Sequence, residues 1–188
     1  MLSPDELNNK IETILFCQAE IMPKIQSGVE SYLKIQGMYS RKEIRVEFKK
    51  LFKKFYRVRG RIDQDKLWDL LKHRKEVSIN DAMNDISDKK TVQLSFASKA
   101  LHTINPDLPI YDRTVRIFFR LPNPYPRELK KRLVFQEKVY NDLKGIYAER
   151  KDNGLIKLAN SFDNLFPQYK TQISEVKKID FMIWGFGR

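Results

Sequence analysis

The sequence predicts an all-α fold, and three observations carry that reading. Apolar residues recur at three- and four-residue spacing in segment after segment, the period of a helix with one buried face. Helix-start signatures precede several of these segments, as in Ser3-Pro4-Asp5-Glu6 and Ser40 with Glu43. No stretch alternates apolar and polar residues for long enough to make a paired strand.

Taken in order, Ser3 caps the first helix, Pro4 fits the first helical position where no N–H is needed, and Glu6 completes a capping box. Leu7, Ile11, Ile14, Leu15 and Ala19 form its buried stripe. Pro23 is expected to break or kink it, and a second segment through Val29, Tyr32, Leu33 and Ile35 is expected to end at Gly37. Ser40 and Glu43 open a helix over residues 41–57 that buries Ile44, Phe48, Leu51, Phe52 and Phe55. Gly60 interrupts the chain, and Asp63 caps a segment at 66–75 holding Leu67, Trp68, Leu70 and Leu71. A shorter helix covers 78–86. The next, at 89–104, buries Leu94, Ala97, Leu101 and Ile104 and is stopped by Asn105-Pro106 and Pro109. Asp112 caps a short apolar helix at 115–121. Pro122, Pro124 and Pro126 then mark a joint between lobes near 122–126. Helices at 127–150, 155–166 and 173–184 complete a single helical domain.

Composition sets the outer bounds. With 188 residues, 41% of them hydrophobic, the chain can bury a full core, which excludes a disordered protein. No apolar run reaches the ~18 residues of a membrane span, and the polar, acidic start at residues 1–10 reads as cytoplasmic. The single cysteine, Cys17, excludes an internal disulfide, a multi-cysteine zinc site and a four-cysteine iron–sulfur cluster. Only His73 and His102 are histidines, so neither a metal nor a cofactor is expected.

Charge points to a partner. Lys and Arg number 36 against 24 acids, a net charge of +12. Between residues 41 and 61 stand Arg41, Lys42, Arg45, Lys49, Lys50, Lys53, Lys54, Arg57, Arg59 and Arg61, opposed only by Glu43 and Glu47. These ten less two put +8 of the total in 21 residues. A one-signed run of this kind can follow a phosphate backbone, and nucleic acid, DNA foremost, is the expected partner. A plain solvated face is the alternative. A membrane-surface helix fits less well, since the apolar side has the spacing of a core stripe.

The segment SFASKALHTINPDLPIYDRTV brings chemistry. It sets Lys99 among Ser95, Ala97, Ser98 and Ala100, and Pro109 then leads to Asp112 at a helix start. A lysine on a small, partly apolar face is desolvated by close neighbours, which raises its share of free amine. A helix N-terminus favours an ionised carboxylate. Lysine nucleophile and supporting aspartate form one reading of the pair; a solvated lysine and a simple cap form the other. His102, about one turn after Lys99, is a candidate proton carrier or a satisfied structural residue.

The order of a helical lysine, a proline and Asp-x-x-Val opening another helix resembles the active-site half of the helix–hairpin–helix DNA glycosylases. It is most similar to short 8-oxoguanine-glycosylase-like bacterial proteins, in which Ser-Lys-x-Leu precedes Pro-Ile-x-Asp; here these are Ser98-Lys99-Ala100-Leu101 and Pro109-Ile110-Tyr111-Asp112. The likeness spans residues 91–121. It implies an all-α, two-lobed fold in which Lys99 attacks C1′ of a nucleotide and Asp112 supports the charge developing on the sugar. Asp88-Lys89-Lys90-Thr91 stands where that family carries a glycine-bearing hairpin, and Lys89 or Lys90 is the alternative equivalent of its lysine. The function so implied is a DNA N-glycosylase, with lyase activity through the lysine, that removes a damaged or modified base. The alternative is a non-catalytic module binding nucleic acid or protein, such as a component of a phage-defence or mobile-element system.

Overall fold

The computed structural model describes residues 2–58, 62–73, 76–87, 92–123, 126 and 128–187, and these are helical with no strand among them. Arg59, Gly60, Arg61, Lys89, Lys90 and Pro124, all weighed in the sequence, lie outside the described residues. The order is α1 (Pro4–Phe16), α2 (Gln18–Ser40), α3 (Val46–Phe55), α4 (Gln64–His73), α5 (Ile79–Ile86), α6 (Leu94–Ile104), α7 (Arg113–Phe118), α8 (Leu129–Ala148), α9 (Ile156–Leu165) and α10 (Glu175–Phe186). A 3-10 turn, Pro167–Tyr169, joins α9 to the last loop.

Local signals explain most of the starts. Ser3 and Glu6 form the full capping box, and Ser78, Asp112 and Ser174 each accept a backbone N–H at the first turn of α5, α7 and α10. Several boundaries differ from expectation. The break in the first long helix falls at Cys17, whose N–H still reaches Thr13 O, while Pro23 sits inside α2. Gly37 does not end α2 either; the helix runs on to Ser40, whose hydroxyl turns back to Gly37 O instead of capping a new helix. Consequently α3 starts at Val46, five residues later than the capping-box pattern predicts, and Arg41, Lys42 and Arg45 belong to the connecting turn.

Two hydrophobic cores result. Leu7, Ile11 and Ile14 of α1, the first half of α2 and α7, α9 and α10 build one. The end of α2 with α3, α4, α5 and α6 builds the other. Helix α2 serves both, with Tyr32 in the first core and Ile35 in the second. Helix α8 does the same through Val139 and Tyr140.

At the centre lies α10, buried on every side, as a helix surrounded by others must be. It crosses α2 closely: a Cβ on Gly185 would meet Ile25 at 2.9 Å, and one on Gly28 would meet Phe181 at 3.3 Å. Among the described residues no helix is long and apolar enough to cross a membrane.

Candidate active site

Lys99 and Asp112 line one cavity of about 660 Å³. The turn between α6 and α7 brings them there, and three contacts fix it. Ser98, fully buried, accepts the N–H of Tyr111 at 3.0 Å and faces its carbonyl at 3.2 Å. The neighbours of these two residues are Lys99 and Asp112, so one hydroxyl sets the spacing of the pair. Tyr140 of α8 donates to Pro109 O at 3.1 Å. Ser174, while capping α10, donates to Pro106 O at 2.7 Å and so ties the central helix to the same turn.

Lys99 is held in a largely apolar setting. Its Nζ donates to Ser95 Oγ at 3.0 Å and to Tyr56 O at 3.2 Å, and lies 5.1 Å from the centre of the Phe96 ring. Burial pushes its pKa below the ordinary lysine value, with Asp112 and then Asp180 pulling the other way and Lys177 and Arg57 adding to the depression. The result is an amine held more readily in its nucleophilic form than a solvated lysine. Asp112 accepts the Val115 N–H at 2.9 Å as the N-cap of α7, and the same carboxylate lines the cavity. Cap and site residue are therefore one side chain.

His102 occupies a different place from the one a proton carrier needs. It is fully buried and does not line the cavity. Its Nδ1 is 2.6 Å from Leu108 O, an acceptor only, so that nitrogen carries the hydrogen. The other nitrogen then accepts from Tyr32 OH at 3.2 Å. Burial first, and Lys177 second, depress its pKa to about 3. It is a neutral strut between α6, α2 and the turn.

The basic segment divides in the structure. Lys49, Lys50, Lys53 and Lys54 lie on α3, with Lys49 and Lys53 placed 5.3 and 5.8 Å from the Trp68 ring. Arg41 is engaged by Glu43 at 2.9 Å, and Lys42 and Arg45 are exposed in the turn before α3. Arg57, in the left-handed region at φ 51° just past the end of α3, reaches the cavity wall and joins the basic helix to the site. Arg59 and Arg61 lie outside the described residues.

The structure adds two charged residues that the sequence reading passed over. Lys177 and Asp180 of α10 line the cavity as a buried pair 2.5 Å apart. They are 3% and 5% exposed, which is rare for either residue type unless paired. The signal was present as Lys177 and Asp180 three residues apart, with Lys178 the one other charge in an otherwise apolar run at 176–186; that spacing puts the pair on one helix face. Five cations (Lys10, Arg57, Lys99, Arg113 and Lys177) thus face two carboxylates in this cavity. Its walls are aromatic, chiefly Phe55, Tyr56, Phe96, Phe181 and Trp184, and Ile117, 52% exposed, stands at its edge.

No protein-family model, curated protein or solved structure matches this chain. Among the described residues no group of three His, Cys, Asp or Glu side chains is arranged to hold a metal ion.

Proposed function

We propose that the chain is a DNA-binding protein whose cavity removes a damaged or modified base, a DNA N-glycosylase that works through Lys99 and Asp112. The observation that carries this reading is the shared cavity: a desolvated lysine amine and a capping carboxylate line one aromatic-walled space with an excess of positive charge. Its volume of about 660 Å³ is in the range of small-molecule sites. Aromatic walls suit a planar base, and cations suit the phosphates on either side of a nucleotide turned out of the duplex.

In this reading the Lys99 amine attacks C1′, and the base departs with the electron pair of the C1′–N bond. Asp112 stabilises positive charge on the sugar as that bond breaks. The attacking nitrogen gives up a proton, which the departing base takes; the C1′–O4′ bond then breaks, O4′ takes a proton from water, and nitrogen and C1′ are left joined as a protonated Schiff base. The lysines of α3, with Arg57 at the cavity wall just past its end, hold the backbone.

Borohydride tests the chemistry. It reduces the Schiff base and locks the protein onto DNA that holds an abasic site, and Lys99→Ala abolishes the trap. Salt tests the binding: each phosphate contact contributes a slope of about −0.9 in log K against log salt. Reversing Lys50 and Lys54 to glutamate flattens that slope and spares the two lysines packed on Trp68. Binding without trapping or base release, across a broad panel of damaged and modified DNAs, replaces the enzyme with a non-catalytic binding module. Absence of DNA binding overturns the enzyme and the nucleic-acid-binding module alike.

A further inference from the structure

The Lys177–Asp180 pair needs a reason to exist. Taking two charges out of water costs several kcal/mol per ion, and well-packed apolar residues of similar volume often serve stability as well or better. Yet α10 places this pair at the centre of the molecule, on the wall of the cavity that Lys99 and Asp112 also line. Lys177 is fixed from three sides. Its Nζ lies 4.4 Å from the centre of the Phe181 ring, 5.1 Å from Tyr32 and 5.5 Å from Phe55.

Phe55 in turn packs its ring 4.7 Å from that of Tyr56, and the Tyr56 carbonyl holds the Lys99 amine. A chain of direct contacts therefore runs from the pair to the amine, and all three charged groups open on the same cavity.

We propose that Lys177 and Asp180 are positioning residues for Lys99: a rigid dipole on α10 whose two ends act on the amine in opposite senses. Asp180 favours the ammonium and Lys177 favours the free amine. The other groups facing Lys99 are Asp112 and Arg113 from the start of α7, Lys10 from α1, and Tyr56 and Arg57 from the end of α3. None of these is changed by altering the pair, so its contribution can be isolated. The inference rests on the reading of Lys99 as the nucleophile and assigns the control of its charge.

Trace acetylation of the full chain with acetic anhydride reads the free-amine fraction of each lysine. Lys99 is quantified by peptide mass spectrometry against exposed Lys50 near neutral pH. Asp180→Asn raises Lys99 labelling by about threefold or more, and Lys177→Met lowers it by a similar factor. A general loosening of the fold moves both variants the same way, toward faster labelling. Shifts of equal sign, or no shift, overturn the proposal.

Removing one partner of a buried pair can unfold a protein, so a reciprocal measurement is made on Lys99→Met, which leaves the pair intact. Coupling between two titrating groups is mutual. Loss of the Lys99 cation therefore raises the pH at which the Asp180 carboxyl carbon titrates by NMR, and an unmoved midpoint overturns the proposal. Neither measurement involves DNA, so a failure here is distinct from a failure of the glycosylase reading.

Discussion

Under the proposed glycosylase function Asp112 carries two duties on one side chain, and substitution separates them. As N-cap it accepts one hydrogen bond, from Val115 N–H at 2.9 Å, at the head of a helix of only six residues. Asp112→Ala removes that acceptor and costs about 1 kcal/mol, which in a chain of this size lowers Tm by roughly 2–4 °C. Asparagine caps about as well as aspartate, so Asp112→Asn keeps most of that stability while deleting the charge. In the cavity the carboxylate is one of two facing five cations, so Asp112→Asn makes the site more positive and binds DNA at least as tightly.

The consequences for chemistry then divide. Without the carboxylate, positive charge on the sugar is unsupported and base release slows on the order of a hundredfold. The Asp112 charge also favours the protonated form of Lys99, so its loss leaves the amine freer. Trapping on a ready-made abasic site, which needs the amine and not base departure, therefore persists in Asp112→Asn. Calorimetry, single-turnover base release and borohydride trapping measure the three quantities. If base release and trapping fall together in a variant with wild-type Tm, Asp112 acts on the amine and not on the sugar, and the assignment is refuted. If both remain at wild-type level, Asp112 is a cap alone.

Three further outcomes are expected. Ser98→Ala removes the bonds that tie α6 to Tyr111, costing about 1–2 kcal/mol by urea unfolding, and lowers base release although no atom of the Lys99–Asp112 pair is changed. His102, with its pKa depressed from 6.5 to about 3, contributes stability that is present above pH 6.5 and lost as pH falls toward 3, because the unfolded chain binds the proton first. Urea midpoints of wild type therefore decline through that window, and His102→Gln flattens the decline at the expense of the bridge to Tyr32 and Leu108. Gly185→Ala puts a methyl group 2.9 Å from Ile25 where α10 crosses α2, and costs about 1–3 kcal/mol by the same measurement.

Helix identity was legible in the chain because it rests on short-range physics. Caps at Ser3, Ser78 and Asp112 satisfy their own first turns, and the stripe Leu94, Ala97 and Leu101 repeats at the period of a single helix. Boundaries failed where two local signals competed. Ser40 carries the pattern of a cap, but its hydroxyl finds Gly37 O first, and α2 continues to bury Ile35 and Met38 in the second core. Burial of those side chains outweighs the weak preference of Gly37 for a helix end.

The sequence by itself determined the all-helical class, the excess of positive charge and the adjacency of Lys99 and Asp112 across a proline turn. Only the tertiary structure decided that the two open on one cavity, since that depends on Ser98 meeting Tyr111 and on Tyr140 and Ser174 holding the turn from distant helices. The same holds for His102, whose charge is settled by complete burial beside Lys177 and not by its distance from Lys99 along the helix. It holds for Lys177 and Asp180 as well. Periodicity records which face of a helix is apolar, but residues 176–183 of α10 are all buried, and what a charge does in such a stretch is set by the groups packed around it from elsewhere in the chain.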